Sequence, residues 1–447
     1  MGPNAPRPIQ NMEASNRSKS RWSVAEVVFY LLILALPFEE VVSIGGGSVV
    51  KWFGVLFILV SVFEAKTFYS HFPVAFIGYA LYAAIGIAGD LRQPDLTLAV
   101  LIEVMRPVLT GIFMLATYNL ALNRQPNRLV VTLILSAIVF AAFQYYGLAS
   151  GSANTYAQMA EQGQKLERAS ALGTDPNFAA VFMSLAVIPG VLAISGALRT
   201  NLFYKIPGVA GAALAGGGIL MTGSRGGLIA LVIGILSVLL VTRNFMVRFK
   251  LVVVVAGVLG LLGLAVAQSE LYRTRLMDSL DKRDTAARED IWHDALSVST
   301  QSPLFGFGNR SYETALGNYS HTKETATHNV PLAILLGTGI AGLLALGSFY
   351  LQVARSVWIH RQSKTGMVVF PWFMIVLAGS LSLNLDLVKW YWLVMTLALA
   401  LRKTEVTLPR RRAPAFDALA CASQSLTSRP LGNPGLMNPL SPNQNYE

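Results

Sequence analysis

The sequence contains little charge. Only 13% of its 447 residues are Asp, Glu, Lys or Arg, whereas soluble domains average about 25%. Hydrophobic residues make up 53% of the chain, and the mean hydropathy is +0.52. Apolar runs of about 20 residues, the length that crosses a bilayer, recur along it. The composition therefore predicts an all-α polytopic membrane protein, and the alternating ten-residue segments typical of a transmembrane β-barrel are lacking.

Several motifs that would define a chemistry are also missing. A single cysteine, Cys421, excludes an intramolecular disulfide and a cysteine metal site. His321 and Glu324 leave a metal site open, but no HExxH or DxD motif supports one. Walker, dinucleotide-binding and Ser-His-Asp patterns are absent too, so no cofactor is expected. ATP or a nucleotide sugar bound on the cytoplasmic side is therefore not expected to supply the energy.

About twelve segments are apolar and long enough to be predicted as membrane spans. They are 23–41, 49–64, 71–89, 97–121, 129–149, 173–196, 202–221, 226–242, 249–267, 329–354, 367–384 and 387–402. The connections on one side, among them NRQPNR, TRNFMVRFK and ARSVWIHRQSK, are rich in Lys and Arg. The positive-inside rule places that side and both termini in the cytoplasm.

The net charge of +11 follows this pattern, which argues against nucleic-acid binding. The other side, predicted to be the periplasm of a bacterial inner membrane, holds short connections such as 42–48 and 150–172 and one large loop. The predicted organisation is an N-terminal tail, nine spans, a large loop, three spans and a C-terminal tail, at 1–22, 23–267, 268–328, 329–402 and 403–447. Both tails have the composition of disordered segments.

The large loop, 268–328, concentrates the polar residues of an otherwise apolar chain. Its stretch from 285 to 298 has helical spacing, with Ile291, Trp292, Ala295 and Leu296 on one apolar face. Arg288 precedes Ile291 by three residues and shares that face, so a helix lying on the membrane would direct this arginine inward. The alternative is a solvated arginine beside two acidic neighbours.

A second candidate is Arg225, in the sequence TGSRGGL between two spans. Small residues let the backbone approach another group closely, and the free amides at a helix start favour an anion. The planar guanidinium of Arg225 is suited to phosphate. The alternative is a tight helix–helix turn with an interfacial arginine, and the residues alone leave both open.

His328 is the third candidate, because it marks the point where the large loop re-enters the membrane. A neutral imidazole at such a boundary can accept a proton near neutral pH. Glu324 would orient it if the segment were helical. The alternative is an interfacial histidine that caps the span.

Other residues are weaker candidates. Arg168 lies in the connection before the sixth span, and Arg106 forms a predicted buried ion pair with Glu103. Asp386 and Lys389 flank the outer start of the last span, where the aromatic run 390–392 resembles an interfacial belt. Arg310 and Asn329, in the large loop and beside His328, complete the set. The segment 302–308, SPLFGFG, is predicted to be a turn that shapes the loop.

The motifs TGSRGGL, AAREDIWHDAL, SPLFGFGNRSYE and THNVPLAILLGTGIAGLLAL resemble the O-antigen ligase superfamily of integral membrane glycosyltransferases. The resemblance extends from about residue 165 to residue 402. It implies about twelve helices, one long periplasmic loop and metal-independent transfer of O-antigen from undecaprenyl pyrophosphate to a sugar hydroxyl of lipid A–core. In the family pattern Arg225 and Arg288 match the arginines that bind pyrophosphate, and His328 matches the base on the acceptor.

Together these features predict an inverting displacement at the anomeric carbon. Arg225 and Arg288 stabilise the leaving pyrophosphate, His328 takes the acceptor proton, and Arg168 is a further anion contact. An O-antigen or other polysaccharide polymerase of the same superfamily is the alternative enzyme, since it uses the same donor. A transporter of lipid-linked glycans is the alternative outside the enzymes, although charge concentrated at one face is untypical of transporters.

Overall fold

The computed structural model describes the apolar segments and most of their connections. The described residues are 22–38, 43–44, 47–92, 101, 104–123, 126–150, 154–159, 165–170, 174–198, 202–281, 288–319 and 325–404. Within them the helices are α1 (Val24–Ala35), α2 (Val49–Val62), α3 (Ala65–Phe68), α4 (Ala75–Asp90), α5 (Arg106–Asn123), α6 (Pro126–Ala149), α7 (Pro176–Ile194), α8 (Leu202–Thr222), α9 (Arg225–Ser237), α10 (Phe245–Gln268), α11 (Glu270–Asp281), α12 (Arg288–Ser299), α13 (Ser311–Tyr319), α14 (Val330–His360), α15 (Gly366–Ser380) and α16 (Lys389–Thr404).

A helix occupies each of the twelve predicted spans. Five of these helices are long and apolar enough to cross a membrane, as expected of a multi-pass helical membrane protein: Pro126–Ala149, Pro176–Ile194, Lys205–Thr222, Phe245–Gln268 and Val330–His360. The other apolar helices are shorter, so the number of twelve spans stays a prediction. The large loop also contains the helices α11, α12 and α13.

Two short antiparallel hairpins lie in connections that the sequence analysis predicted without strands. One pairs β1 (Ser43–Ile44) with β2 (Gly47–Ser48), and the other pairs β3 (Asn154–Met159) with β4 (Lys165–Ser170).

Capping residues fix where the functionally interesting helices begin. The Asp175 carboxylate accepts hydrogen bonds from two first-turn amides of α7, at 2.7 and 3.3 Å. Ser224 caps α9 through one amide at 3.0 Å, and Asn329 caps α14 through one at 3.1 Å. Asp, Ser and Asn are favoured at this position because their side chains satisfy amides that lack a helical partner. The helix starts are therefore encoded locally.

The centre of the bundle is α7, which is almost wholly buried and packs most extensively against α8. Buried polar side chains cross-link the helices. Trp372 donates through Nε1 to the Leu185 carbonyl at 2.7 Å, and Gln144 donates to the Gly218 carbonyl at 2.9 Å. Such bonds are needed wherever a polar group is removed from water.

The aromatic run at the start of α16 belongs to this core. Trp390, Tyr391 and Trp392 are only 6%, 1% and 3% exposed. Trp392 packs edge-on against Tyr79 of α4, with ring centroids 5.2 Å apart. The prediction of an interfacial belt is therefore wrong. A run of aromatic residues in a sequence does not by itself show whether the rings face lipid or a neighbouring helix.

Helix α14 is broken at Gly339, whose φ of 64° and ψ of −166° are not helical. The turn 302–308 bonds to the backbone around the break. The amides of Phe307 and Gly308 each donate to α14 carbonyls at 2.8 Å, and the amides of residues 340 and 341 donate to carbonyls of the turn at 2.8 and 3.0 Å. A break among apolar helices requires such replacement partners. The turn thereby joins the large loop to the helix bundle.

Candidate functional site

Helix α12 places Arg288 at its first position, facing the bundle. Ile291, Ala295 and Val298 are 2%, 0% and 2% exposed and pack toward α13 and α14. Arg288 is half-buried. Leu296, predicted on the buried face, is 51% exposed, so the buried stripe continues to Val298 instead. The helical spacing of the apolar residues predicted which face of α12 is buried. How far that face extends depends on which residues the neighbouring helices α13 and α14 cover.

Arg288, Arg225 and Asp175 are close enough for their charges to interact. Burial lowers the pKa of the Arg288 guanidinium, the charge of Arg225 lowers it further, and the carboxylate of Asp175 opposes this. Two guanidinium groups near each other in a partly buried site repel, and an anion bound between them relieves that repulsion. This charge arrangement favours a phosphate-bearing ligand.

Two helix starts meet at the same place. The Ser224 hydroxyl, which caps α9, donates to Oδ1 of Asn177 in the first turn of α7 at 2.8 Å. The N-termini of α7 and α9 are thus adjacent, and each adds partial positive charge. Gly223, with φ of 59°, forms the tight turn before them. The turn and the anion site, alternatives in the sequence analysis, are therefore compatible, since the turn places Arg225 beside Arg288.

Arg168 belongs to β4, where it pairs with Tyr156 of β3. Its side chain lies outside the described part of the chain, so its proposed anion contact stays a prediction.

His328 occupies a turn that is fixed from several sides. Its φ of 48° is in the left-handed region, which residues other than glycine seldom adopt, although histidine does so more often than most. The hydroxyl of the neighbouring Thr327 and the backbone amide of Asn329 both donate to Oδ1 of Asn384, at 3.1 and 2.9 Å. Backbone strain of this kind persists only where the surroundings impose it. The backbone of His328 is therefore held at a defined position ahead of the start of α14, and its side chain is half-buried.

Helix α12 is also connected to this turn. Nε1 of Trp292 donates to the Thr327 carbonyl at 3.1 Å. Trp292 is one helical turn after Arg288, and Thr327 directly precedes His328. The predicted orientation of His328 by Glu324 requires a helical segment. Residues 325–329 are not helical, and Glu324 itself lies outside the described residues.

Three of the weaker candidates, Arg106, Arg310 and Lys389, line two cavities that share Arg106. The first, of about 290 Å³, is lined by Arg106, Arg310 and Asp386, together with an aromatic wall. The second, of about 240 Å³, is lined by Arg106 and Lys389. Arg106 donates from Nη2 to the Leu387 carbonyl at 2.6 Å. Its predicted partner Glu103 lies outside the described residues. Asn329 serves as the cap of α14 and as an anchor of the histidine turn.

Asp386 was not singled out by the sequence analysis as a chemical group. Burial raises its pKa to about 6. A hydrogen bond from its own backbone and the charge of Arg106 act to lower the pKa, and the charge of Glu313 raises it. The only sequence signal was a carboxylate among aromatic residues at the start of a span. Perturbed carboxylates in cavities are candidates for function.

A metal site finds no support in the described residues. They contain no group of three His, Cys, Asp or Glu side chains arranged to hold an ion. His321 and Glu324, which left this reading open in the sequence, lie outside that part of the chain.

Comparison with known proteins yields a family model and a relative that resemble this chain. Residues 210–347 match a family model described as O-antigen ligase. This segment contains Arg225, Arg288 and His328. A protein of Pseudomonas aeruginosa named O-antigen ligase is 28% identical over 193 residues, which are 42% of this chain and 45% of that relative. The match thus spans less than half of either protein. Both comparisons confirm the resemblance to the O-antigen ligase superfamily.

Proposed function

We propose that this protein is an O-antigen ligase, which transfers O-antigen polysaccharide from undecaprenyl pyrophosphate to lipid A–core at the periplasmic face of a bacterial inner membrane. One observation carries the proposal. Arg225 and Arg288 interact beside two helix N-termini, and Trp292 links the helix of Arg288 to the turn of His328. These contacts support an anion site close to the turn that carries the proposed base. The family resemblance supplies the substrates.

The two arginines act on the leaving group. As the bond between the anomeric carbon and the pyrophosphate oxygen breaks, negative charge develops on the pyrophosphate. Guanidinium groups already in place stabilise that charge without reorganising. The helix N-termini of α7 and α9 add to the same field. Asp175 keeps the arginine pair from being excessively positive before the donor binds.

His328 acts on the acceptor. A sugar hydroxyl attacks the anomeric carbon from the side opposite the pyrophosphate, and the imidazole takes its proton. A new glycosidic bond forms as the old bond breaks, so the configuration of the anomeric carbon inverts. General base catalysis of this kind contributes about 10²- to 10⁴-fold.

A reconstituted transfer assay tests the proposal. Purified protein is mixed with undecaprenyl-pyrophosphate-linked glycan and lipid A–core, with a chelator and without nucleotide. Glycan attached to lipid A–core is the expected product. Longer lipid-linked chains without transfer to core would instead identify a polymerase, and absence of either product would contradict a glycosyltransferase.

A further inference from the structure

Two residues that line the first cavity, Asp386 and Asn309, each carry a buried polar atom with unused hydrogen-bonding capacity. Oδ1 of Asp386 and Nδ2 of Asn309 have no hydrogen-bond partner among the described residues. A buried polar atom without a partner costs free energy, so a folded protein seldom retains two of them on one cavity without a use. One is an acceptor and the other is a donor. Hydroxyl groups suit both kinds of atom, because a hydroxyl can donate as well as accept.

The neighbouring contacts hold Asp386 in place. Nε1 of Trp392 donates to the Asp386 carbonyl at 2.7 Å, and Arg106 donates to the next carbonyl, that of Leu387, at 2.6 Å. Two successive carbonyls of the backbone that follows the Asp386 Cα are thus held in place. Preorganisation of this kind is typical of a binding group.

The charges around the cavity favour a neutral ligand. Asp90 also lines it, but its Oδ1 already accepts from the amides of Arg310 and Ser311 and from the Ser311 hydroxyl. The remaining charged side chains are two arginines and two carboxylates. An anion such as pyrophosphate would meet both carboxylates, which disfavours it here relative to the site of Arg225 and Arg288.

The remaining walls are aromatic. Tyr79, Tyr82, Tyr312 and Trp392 line the cavity and are each more than 90% buried. Rigid rings around a few polar groups form a surface for a ligand that has both apolar and hydroxyl-bearing faces. A sugar ring has this combination, with C–H groups on its faces and hydroxyls at its edge.

We propose that this cavity is a binding subsite for a neutral sugar ring of the acceptor, in which ring hydroxyls donate to Asp386 and accept from Asn309. The inference rests on the proposed function and adds the location of the acceptor sugar. The acceptor is favoured over the donor because the cavity adjoins the histidine turn. Asn384, which holds that turn, is two residues before Asp386, and Ala333 of the first turn of α14 lines the cavity.

The test separates sugar binding from donor chemistry. Asp386→Asn and Asn309→Asp keep side-chain size but replace acceptor with donor, or donor with acceptor. Each is expected to raise the KM for lipid A–core at least about tenfold, while the affinity for lipid-pyrophosphate donor stays within about twofold. Glu270→Gln, which removes an exposed carboxylate at the start of α11, is the matched control and should change neither value.

A binding measurement makes the inference independent of turnover. Delipidated core oligosaccharide is titrated calorimetrically into wild-type protein and into the variants. Binding that is lost in both variants, while thermal unfolding remains cooperative, supports the subsite. Transfer by the wild type with an unchanged KM in both variants would overturn the subsite but not the ligase. If the wild type bound oligosaccharide but transferred nothing, the ligase would be overturned while the subsite stood.

Discussion

At the scale of single residues, the site depends on groups whose position matters as much as their charge. Arg288 is half-buried beside another cation, an arrangement that disfavours folding unless an anion is bound. Proteins accept such local costs where ligands must be stabilised. The same reasoning applies to Asp386, whose carboxylate is kept in a cavity without a hydrogen-bond partner for Oδ1 among the described residues.

Arg288→Lys keeps the positive charge but removes the planar fork that grips two phosphate oxygens. We expect kcat/KM for transfer to fall at least about tenfold, and Arg288→Gln to reduce it by about 10²- to 10³-fold. Initial rates in the reconstituted assay measure both. Arg273→Gln, an exposed arginine of α11, is the control and should retain full activity. A lysine variant as fast as the wild type would show that only net charge matters.

The raised pKa of Asp386 predicts how stability depends on pH. Its folded-state pKa of about 6 exceeds the ordinary carboxyl pKa of 3.8 expected in the unfolded chain, so the folded protein binds more protons between those values. Stability therefore falls as pH rises through this window, by on the order of 3 kcal/mol for this group. Asp386→Asn removes the penalty.

We therefore expect Asp386→Asn to raise the unfolding temperature more at pH 8 than at pH 4.5. Thermal unfolding of the detergent-solubilised protein at both pH values measures this difference. An equal rise in unfolding temperature at both pH values would mean that ionisation of the Asp386 carboxylate does not destabilise the folded protein. A variant that is more stable but binds acceptor less well is the expected signature of a functional group held at a cost.

At the scale of elements, the large loop is attached to the membrane helices through the backbone. The turn 302–308 replaces the hydrogen bonds that α14 loses at Gly339. The attachment sets the position of α13, and with it Asn309 and Tyr312 of the first cavity. Helix caps, the break in α14 and the histidine turn together place side chains from distant parts of the sequence.

Gly339→Ala tests this attachment. A Cβ there would lie 2.3 Å from the Leu304 carbonyl carbon, and the positive φ of 64° disfavours any side chain. We expect destabilisation of more than about 2 kcal/mol, seen as a lower unfolding temperature. Gly347→Ala, in the same helix with open space around its Cβ, should be neutral or slightly stabilising. Equal effects of the two substitutions would contradict the role of the turn.

At the scale of the whole molecule, much of the fold could be predicted from the sequence because apolar length and capping residues are local signals. The runs near 129–149 and 249–267 became helices at nearly those bounds. Arg225 and Arg288 were recognised from their surroundings and the family resemblance. How close they lie depends on how α7, α9 and α12 pack against one another. A local sequence pattern carries no information on that packing.

The first cavity could not be predicted for the same reason. Asn309 and Asp386 are far apart in sequence, and each looks ordinary beside its neighbours. The aromatic run 390–392 was assigned to the lipid interface because composition alone does not distinguish a lipid-facing ring from one packed on another helix. The topology, the span count and the bounds of the large loop stay predictions, as do the roles of the site residues.

The central claim is that the arginine pair holds the pyrophosphate donor and His328 takes the acceptor proton. The measurement that tests it most directly uses His328→Asn, because asparagine tolerates the left-handed backbone conformation of this residue but cannot act as the base. Donor affinity and transfer rate are measured on the same preparation, in the presence of a chelator. The account predicts unchanged donor affinity with a loss of transfer of at least about 10²-fold. Transfer at the wild-type rate, or a parallel loss of donor affinity, would contradict it.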